Sequence, residues 1–296
     1  MKPSAALPLR PKKRFGQHFL RDPTIIARLL AAIDPRPGQH LVEIGPGRGA
    51  LTLPLLKALG ELDAIELDRD LAVELRERCR AAGELRLQVQ DALKFEFCAL
   101  CTDNRPLRLV GNLPYNISTP LLFHLLTQIH CLKEMIFMLQ KEVGDRLAAP
   151  ANTPHYGRLS VMIQYHCTVE TLFDVAPSAF HPPPQVHSSV LRLQPKRPQE
   201  TVLNQAIFGD LVKRAFSLRR KTLGNALKGR VDATLFRMAG IDPQRRGETL
   251  SIGEFILLAN QLAKHVGIPT ESVHRDQLVR SSVSPNSRLN ECPFSK

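Results

Sequence analysis

Asn112, Leu113, Pro114 and Tyr115 form the most chemically specific run in this chain. They follow an apolar stretch, Leu107 to Gly111, that reads as a strand ending in a turn. An Asn-x-Pro-aromatic tetrad at the C-terminal end of a strand suits one task, gripping an exocyclic amino group on a planar base. Such an amine is a poor nucleophile because its lone pair is delocalised into the ring. The Asn112 amide oxygen and the Leu113 carbonyl can accept its two N–H bonds and draw the nitrogen towards tetrahedral geometry. The lone pair then points at an electrophile. Tyr115 would stack on the base, and Pro114 stiffens the turn. Asn and Pro are also ordinary turn residues, so the surrounding elements must decide.

Those elements alternate. A helix is expected from Asp22-Pro23 to Ile33, and strands at His40–Ile44, Leu62–Glu66, Leu85–Val89 and Met135–Leu139. Helices over Leu51–Leu59, Arg69–Arg80, Thr119–Ile129 and Lys141–Ala148 fall between or after them. Strands alternating with helices of roughly 10–15 residues mean βαβ units and a mainly parallel sheet. Leu159–Cys167 and Ser188–Leu193 read as late strands, closing the sheet with a hairpin. Beyond a linker at Pro195–Pro198 the pattern is helical: Gln205–Ser217, Arg219–Lys228, Ala233–Met238 and Ile252–His265. Residues 266–296 lose periodicity and read as a disordered tail. The expected units are therefore a basic arm (1–21), an α/β domain (22–196), a helical domain (197–265) and that tail.

The glycine turn Gly45-x-Gly47-x-Gly49 separates the first strand from its helix, where small residues let the backbone close on a ligand. Glu66 lies 21 residues past Gly45 at the end of the next strand, placed to take both hydroxyls of a ribose. Asp91 ends the third strand, where an adenine amino group would lie. Glycines and Glu66 together indicate a nucleoside-containing cofactor and leave NAD and S-adenosylmethionine both open. A dehydrogenase has no use for an amine-gripping tetrad, so the tetrad decides for methyl transfer.

The net charge of +12 is unevenly spread over the 296 residues. Residues 1–21 carry +6, including Lys12, Lys13 and Arg14, and residues 195–230 carry +7, including Arg219, Arg220 and Lys221. Charge gathered at two places points to a polyanion, most simply nucleic acid. The three residues Arg219 to Lys221 are expected to open a helix and face RNA phosphates. No apolar stretch approaches the ~20 residues of a membrane span, and the basic, proline-rich N-terminus is no secretory signal. Six cysteines suggest incidental, reduced thiols in the cytosol, and Cys98-x-x-Cys101 has no second pair to complete a metal site.

Five segments together resemble the small-subunit (16S-type) ribosomal RNA adenine N6,N6-dimethyltransferases, the kasugamycin-sensitivity methyltransferase family. They are Lys12-Lys-Arg-Phe-Gly-Gln-His-Phe-Leu20, Glu43-Ile-Gly-Pro-Gly-Arg-Gly49, Asn112-Leu-Pro-Tyr115, Phe180 to Ser188, and Ala215 to Leu223. They span residues 12 to about 262 of the expected fold, with His181 a departure from the family's late loop. The resemblance implies a Rossmann-like class I methyltransferase, α/β with a mainly parallel seven-stranded sheet, plus a small all-helical C-terminal domain. It implies that His18 and Leu20 edge the methionine part of S-adenosylmethionine, with Gly45 beneath. It gives Glu66 to the ribose, Asp91 to the adenine N6, and Asn112 to cofactor and target alike. Tyr115 and Phe180 would sandwich the target adenine. The implied substrate is small-subunit rRNA, met by a monomer without metal. Two rivals are a 23S rRNA methyltransferase of the macrolide-resistance type, and a non-catalytic RNA-binding assembly factor.

Overall fold

A computed structural model describes residues 17–102, 105–218 and 220–267. Lys12, Lys13, Arg14, Arg219 and the 268–296 tail lie outside the described residues. A short strand β1 (Phe19–Leu20) leads into α1 (Pro23–Ile33). Pro23 sits in the first turn, and the Thr24 and Ile25 N–H groups donate to the Asp22 carboxylate at 2.8 and 3.2 Å. Two of the helix's orphan donors are thus capped by the residue that the sequence offers for it.

The alternation then runs as expected: β2 (Leu41–Ile44), α2 (Thr52–Leu59), β3 (Glu61–Glu66), α3 (Arg69–Cys79), β4 (Glu84–Val89), β5 (Leu107–Asn112), α4 (Ser118–Thr127) and β6 (Leu132–Gln140). After α5 (Lys141–Ala148) come α6 (Arg158–His166), β7 (Cys167–Val175), β8 (Phe180–His181) and β9 (Ser188–Pro195). The seven-stranded sheet has the order β4-β3-β2-β5-β6-β9-β7, with only β9 antiparallel to its neighbours. β2 pairs in parallel with β3 on one side and β5 on the other, so the chain order reverses there and a crevice opens at the strands' C-terminal ends. β1 pairs separately with β8, Phe19 opposite His181 and Leu20 opposite Phe180.

The expected strand at Leu159–Cys167 is a correction: all but its last residue form helix α6, and the strand is β7. The helix lies between two cores. Leu159 and Ile163 enter the core of the sheet, while Val161 and Tyr165 enter that of the C-terminal helices. Burial on both faces produces an apolar residue at every second position, which imitates a strand.

α7 (Gln205–Ser217), α8 (Leu223–Ala226), α9 (Ala233–Met238) and α10 (Ile252–His265) form the helical unit around Phe208, Leu211, Phe236 and Phe255. Its core reaches back to Ala149 and Tyr156, well before the expected boundary at residue 197. A second correction concerns the helix expected over Arg219–Lys228. Arg220 and Lys221 are exposed in the preceding turn, and helix α8 starts only at Leu223. The Leu223 and Gly224 N–H groups donate to the Arg245 and Pro243 carbonyls, which fixes the start there.

The thiols are not all free. Cys98 and Cys131 form a disulfide between the turns that precede β5 and β6, their Cα atoms 5.5 Å apart, which corrects the expectation of reduced cysteines. A sequence separation of 33 carried no signal of this pairing. Cys79 and Cys167 are buried free thiols, and among the described residues no cluster of His, Cys, Asp and Glu could hold a metal ion.

Where β2 meets β5 the backbones touch. A Cβ on Gly111 would lie 2.4 Å from the Ile44 carbonyl oxygen, so only glycine lets the two site-bearing strands approach this closely. Gly111→Ala should cost about 1–3 kcal/mol in urea denaturation. Gly209→Ala, where nothing lies within 4 Å on helix α7, should instead be neutral or slightly stabilising. Equal midpoints for the two variants would show that the strand contact is not a constraint.

Candidate active site

The crevice holds a cavity of about 180 Å³ at the ends of β2, β3 and β5, just beyond β4. Gly45, Glu66, Asp91 and Asn112 all line it, together with His18, Leu20 and Leu113. Sequence-expected residues from four strands and the N-terminal segment thus meet in one place.

Glu66 is held rather than free. Its carboxylate oxygens accept the Gly47 N–H at 3.1 Å and the Asp68 N–H at 2.9 Å. Burial pushes its pKa above the usual carboxylate range, while those backbone N–H groups pull the other way. A carboxylate fixed in this way is a preset acceptor for a pair of hydroxyls. Asp91 is held by the Leu93 N–H at 3.0 Å.

Asn112 is oriented by the N-terminal segment. Its side-chain N–H donates to the His18 carbonyl at 3.0 Å, which leaves the amide oxygen as the free end. At the turn, the Leu113 N–H donates to the Met138 carbonyl, and the Ile117 N–H and Ser118 hydroxyl donate to the Pro114 carbonyl. No described donor takes the Leu113 carbonyl.

Tyr115 is clamped from two sides. Its hydroxyl hydrogen-bonds the fully buried Ser188 hydroxyl at 2.8 Å, and the His18 ring lies against its face with centroids 5.5 Å apart at 29°. Burial raises the Tyr115 pKa, so the phenol stays neutral. The His18 Nδ1 sits 2.8 Å from the Pro182 carbonyl, which can only accept, so that nitrogen carries the hydrogen.

Phe180 is a correction. It was expected against the target base, yet it is 1% exposed and lies in the core with Leu20, Val175 and Ala179. Pairing of β8 with β1 turns the ring inwards, and the ring facing Tyr115 is that of His18.

Several contributors carried no sequence signal of their own. Gln17 donates to the Asp68 carboxylate at 3.1 Å, and the Phe19 ring covers Gly47 with the Arg48 guanidinium 4.8 Å from its centroid. Ser188 was visible only as the end of a proline-rich loop. Glu43 lies in the wall of the cavity, 2% exposed on β2. Its Oε2 makes no close hydrogen bond, although the neighbouring Thr52 hydroxyl interacts with the carboxyl and pulls its pKa down against the effect of burial.

Comparison with known proteins adds the following. The model of a family described as "Ribosomal RNA adenine dimethylase" matches residues 9–264. A protein of Nitrosococcus oceani named "Ribosomal RNA small subunit methyltransferase A" is 56% identical over 86% of this chain and 97% of its own length. A protein of the same name from Methylococcus capsulatus is 53% identical over 85% of this chain and 98% of its own. Among solved structures, a dimethyladenosine transferase from Plasmodium falciparum superposes with a TM-score of 0.70 at 26% identity, over 86% of this chain and all of that one.

Glu43 makes a measurable demand on stability. Burial pushes its pKa up to about 7, with the Glu66 charge adding to the effect. The fold therefore favours the protonated form, and the loss of stability sets in as pH rises above the ordinary carboxylate value and is complete above about 7. Glu43→Gln should stabilise the fold by up to about 3 kcal/mol more at pH 8 than at pH 4.5. A pH-independent difference in thermal midpoints would show that Glu43 does not titrate in this range.

Proposed function

The chain belongs to the ribosomal RNA adenine dimethylase family, and from that premise we propose that it dimethylates N6 of two adjacent adenines in small-subunit rRNA. The target would lie in a hairpin loop near the 3′ end, and S-adenosylmethionine would be the methyl donor. The observation that carries this reading is the orientation of Asn112. With its N–H end bound to His18, its oxygen is the end left to accept from an amine. The names of the relatives favour the small subunit over the 23S rival.

The residues present fit S-adenosylmethionine. A preset carboxylate at Glu66 suits ribose hydroxyls, Asp91 suits an adenine amino group, and the buried Glu43 and Glu66 in the cavity wall suit a ligand that carries positive charge. When bound, this cofactor supplies a methyl group on a positively charged sulfur. Asn112 Oδ1 and the Leu113 carbonyl then accept the two N–H bonds of the target and aim its lone pair. Tyr115, steadied by Ser188, offers a face for the base. Accepting groups demand no fixed number of hydrogens, so a monomethylated amine can turn and react again. The target nitrogen attacks without prior deprotonation, and the proton it sheds afterwards goes to water. Catalysis rests on positioning and on preorganised acceptors. The base must be unpaired or flipped out of its stack to arrive there.

The helical unit and the basic arm are taken as the rRNA-binding parts, with Arg219, Arg220, Lys221 and Lys12 to Arg14 as phosphate contacts. We take the chain to act as a monomer. We take the reaction to occur in the cytoplasm. Among the described residues no helix is long and apolar enough to cross a membrane.

Incubation with small ribosomal subunits and S-adenosylmethionine should yield N6,N6-dimethyladenosine on nucleoside mass spectrometry. Methylation of cytosine or of a ribose hydroxyl would overturn the reading. Asn112→Ala should keep the fold and lose about 10²-fold or more in kcat, the scale of one preorganised polar contact. Near-normal turnover would reduce the tetrad to a turn. Replacing Arg219, Arg220 and Lys221 with Ala should lower the salt slope of particle binding by about 0.7–0.9 for each phosphate that is no longer neutralised. An unchanged slope would assign the RNA-binding role to the arm alone.

A further inference from the structure

Two buried carboxylates, Glu43 and Glu66, line the cavity and a third, Asp68, is buried next to Glu66, and they are not equally provided for. Glu66 has two backbone N–H donors, and Asp68 accepts from the Gln17 side chain and the Asp70 N–H. Glu43 has an oxygen with no partner, although it is 2% exposed on a strand whose other residues, Leu41, Val42 and Ile44, are all apolar. Leaving a buried polar atom unpaired is costly, and a charged one more so. An apolar residue would pack more favourably here, so the carboxyl must answer to something that enters the cavity.

The surroundings narrow what that is. The titratable groups packed round Glu43 are Glu66 on β3 and Cys79 on α3. From α2 comes the neutral Thr52, and its partners across the sheet are Ala64 and Val110. Asp68 and Arg48 lie further round the site, and Arg48 is turned to the Phe19 ring. Both ionisable groups packed against Glu43 are acids, so a cationic ligand is what would favour its ionised form.

We propose that Glu43 is a charge-sensing residue that discriminates methyl donor from product, protonated in the free enzyme and ionised when the sulfonium of S-adenosylmethionine is present. The O–H bond breaks with its electron pair left on the carboxylate, and the proton passes to the buffer. S-adenosylhomocysteine has a neutral sulfur, so it leaves the proton in place and binds less tightly at neutral pH. The product is thereby released by the loss of the charge that ionised Glu43. This inference rests on reading the cavity as the S-adenosylmethionine site. The upward push on the Glu43 pKa to about 7 puts the change within reach of physiological pH.

The test is calorimetric titration of the full chain with each ligand in two buffers of different ionisation enthalpy. S-adenosylmethionine should release roughly half a proton at pH 7 and S-adenosylhomocysteine almost none. The affinity for S-adenosylmethionine should rise at least about threefold from pH 6 to pH 8, with that for the product flat. In Glu43→Gln the release should vanish and the preference between the two ligands should shrink. Equal release with both ligands would overturn the proposal, and that comparison is made on the wild-type chain alone. Release retained in a folded Glu43→Gln would overturn it too, with Glu66 then the source. Failure of either ligand to bind would remove the cofactor reading itself, a result distinct from binding without proton release.

Discussion

A single hydrogen bond, from the Asn112 side-chain N–H to the His18 carbonyl, joins parts of the chain 94 residues apart and decides which way the tetrad's amide faces. Rotated half a turn, the same side chain would present N–H groups to an amine that has only N–H groups to offer. Everything around the bond keeps the His18 carbonyl in place. β1 is paired to β8, the His18 ring is tied to the Pro182 carbonyl, and Gln17 is fastened to Asp68 at the start of α3. The N-terminal segment thus lines the cavity beside Asn112 and also covers the glycine loop.

The molecule separates two electrostatic tasks. Its excess of positive charge belongs to the polyanion that it recognises, while the acids Glu43, Glu66 and Asp91 line the cavity and the Arg48 guanidinium there is turned to the Phe19 ring. Neither would serve if the two were mixed, because basic side chains beside Glu43 or Glu66 would neutralise the acceptors. In the helical unit some of the charge is already engaged internally, since Arg214 and Arg230 both bind the Asp210 carboxylate at 2.8 and 3.1 Å. Arg220 and Lys221 stand exposed beside them.

How much of this was legible depended on the range of the interaction. Strands β2 to β6, the helices between them and the glycine turn follow local periodicity and backbone demands, and each was readable within a few residues of its bounds. Gly45, Glu66, Asp91 and Asn112 were legible as a set because the sheet's order brings successive strand ends to one crevice. The failures were non-local. α6 imitates a strand because two separate cores claim alternate residues, and Phe180 is withdrawn by its pairing with the distant Leu20. Glu43 was visible within a motif, but its isolation depends on what packs round it, which no spacing conveys.

The two-residue ladder between β1 and β8 also orders events in time. Residues 17–20 leave the ribosome first and must wait for residues 180–182 before they can dock, by which point nearly all the strands of the sheet have been made. Loop closure over that distance comes late in any folding sequence. A chain interrupted before β8 could form the parallel sheet and the glycine turn, yet Phe19 and Leu20 would lack the strand that they pair with. The partner that seats the His18 ring, and through that segment supports the carbonyl facing Asn112, is also missing from such a fragment. The seating of the His18 carbonyl against Asn112 thus marks a chain whose synthesis has passed β8.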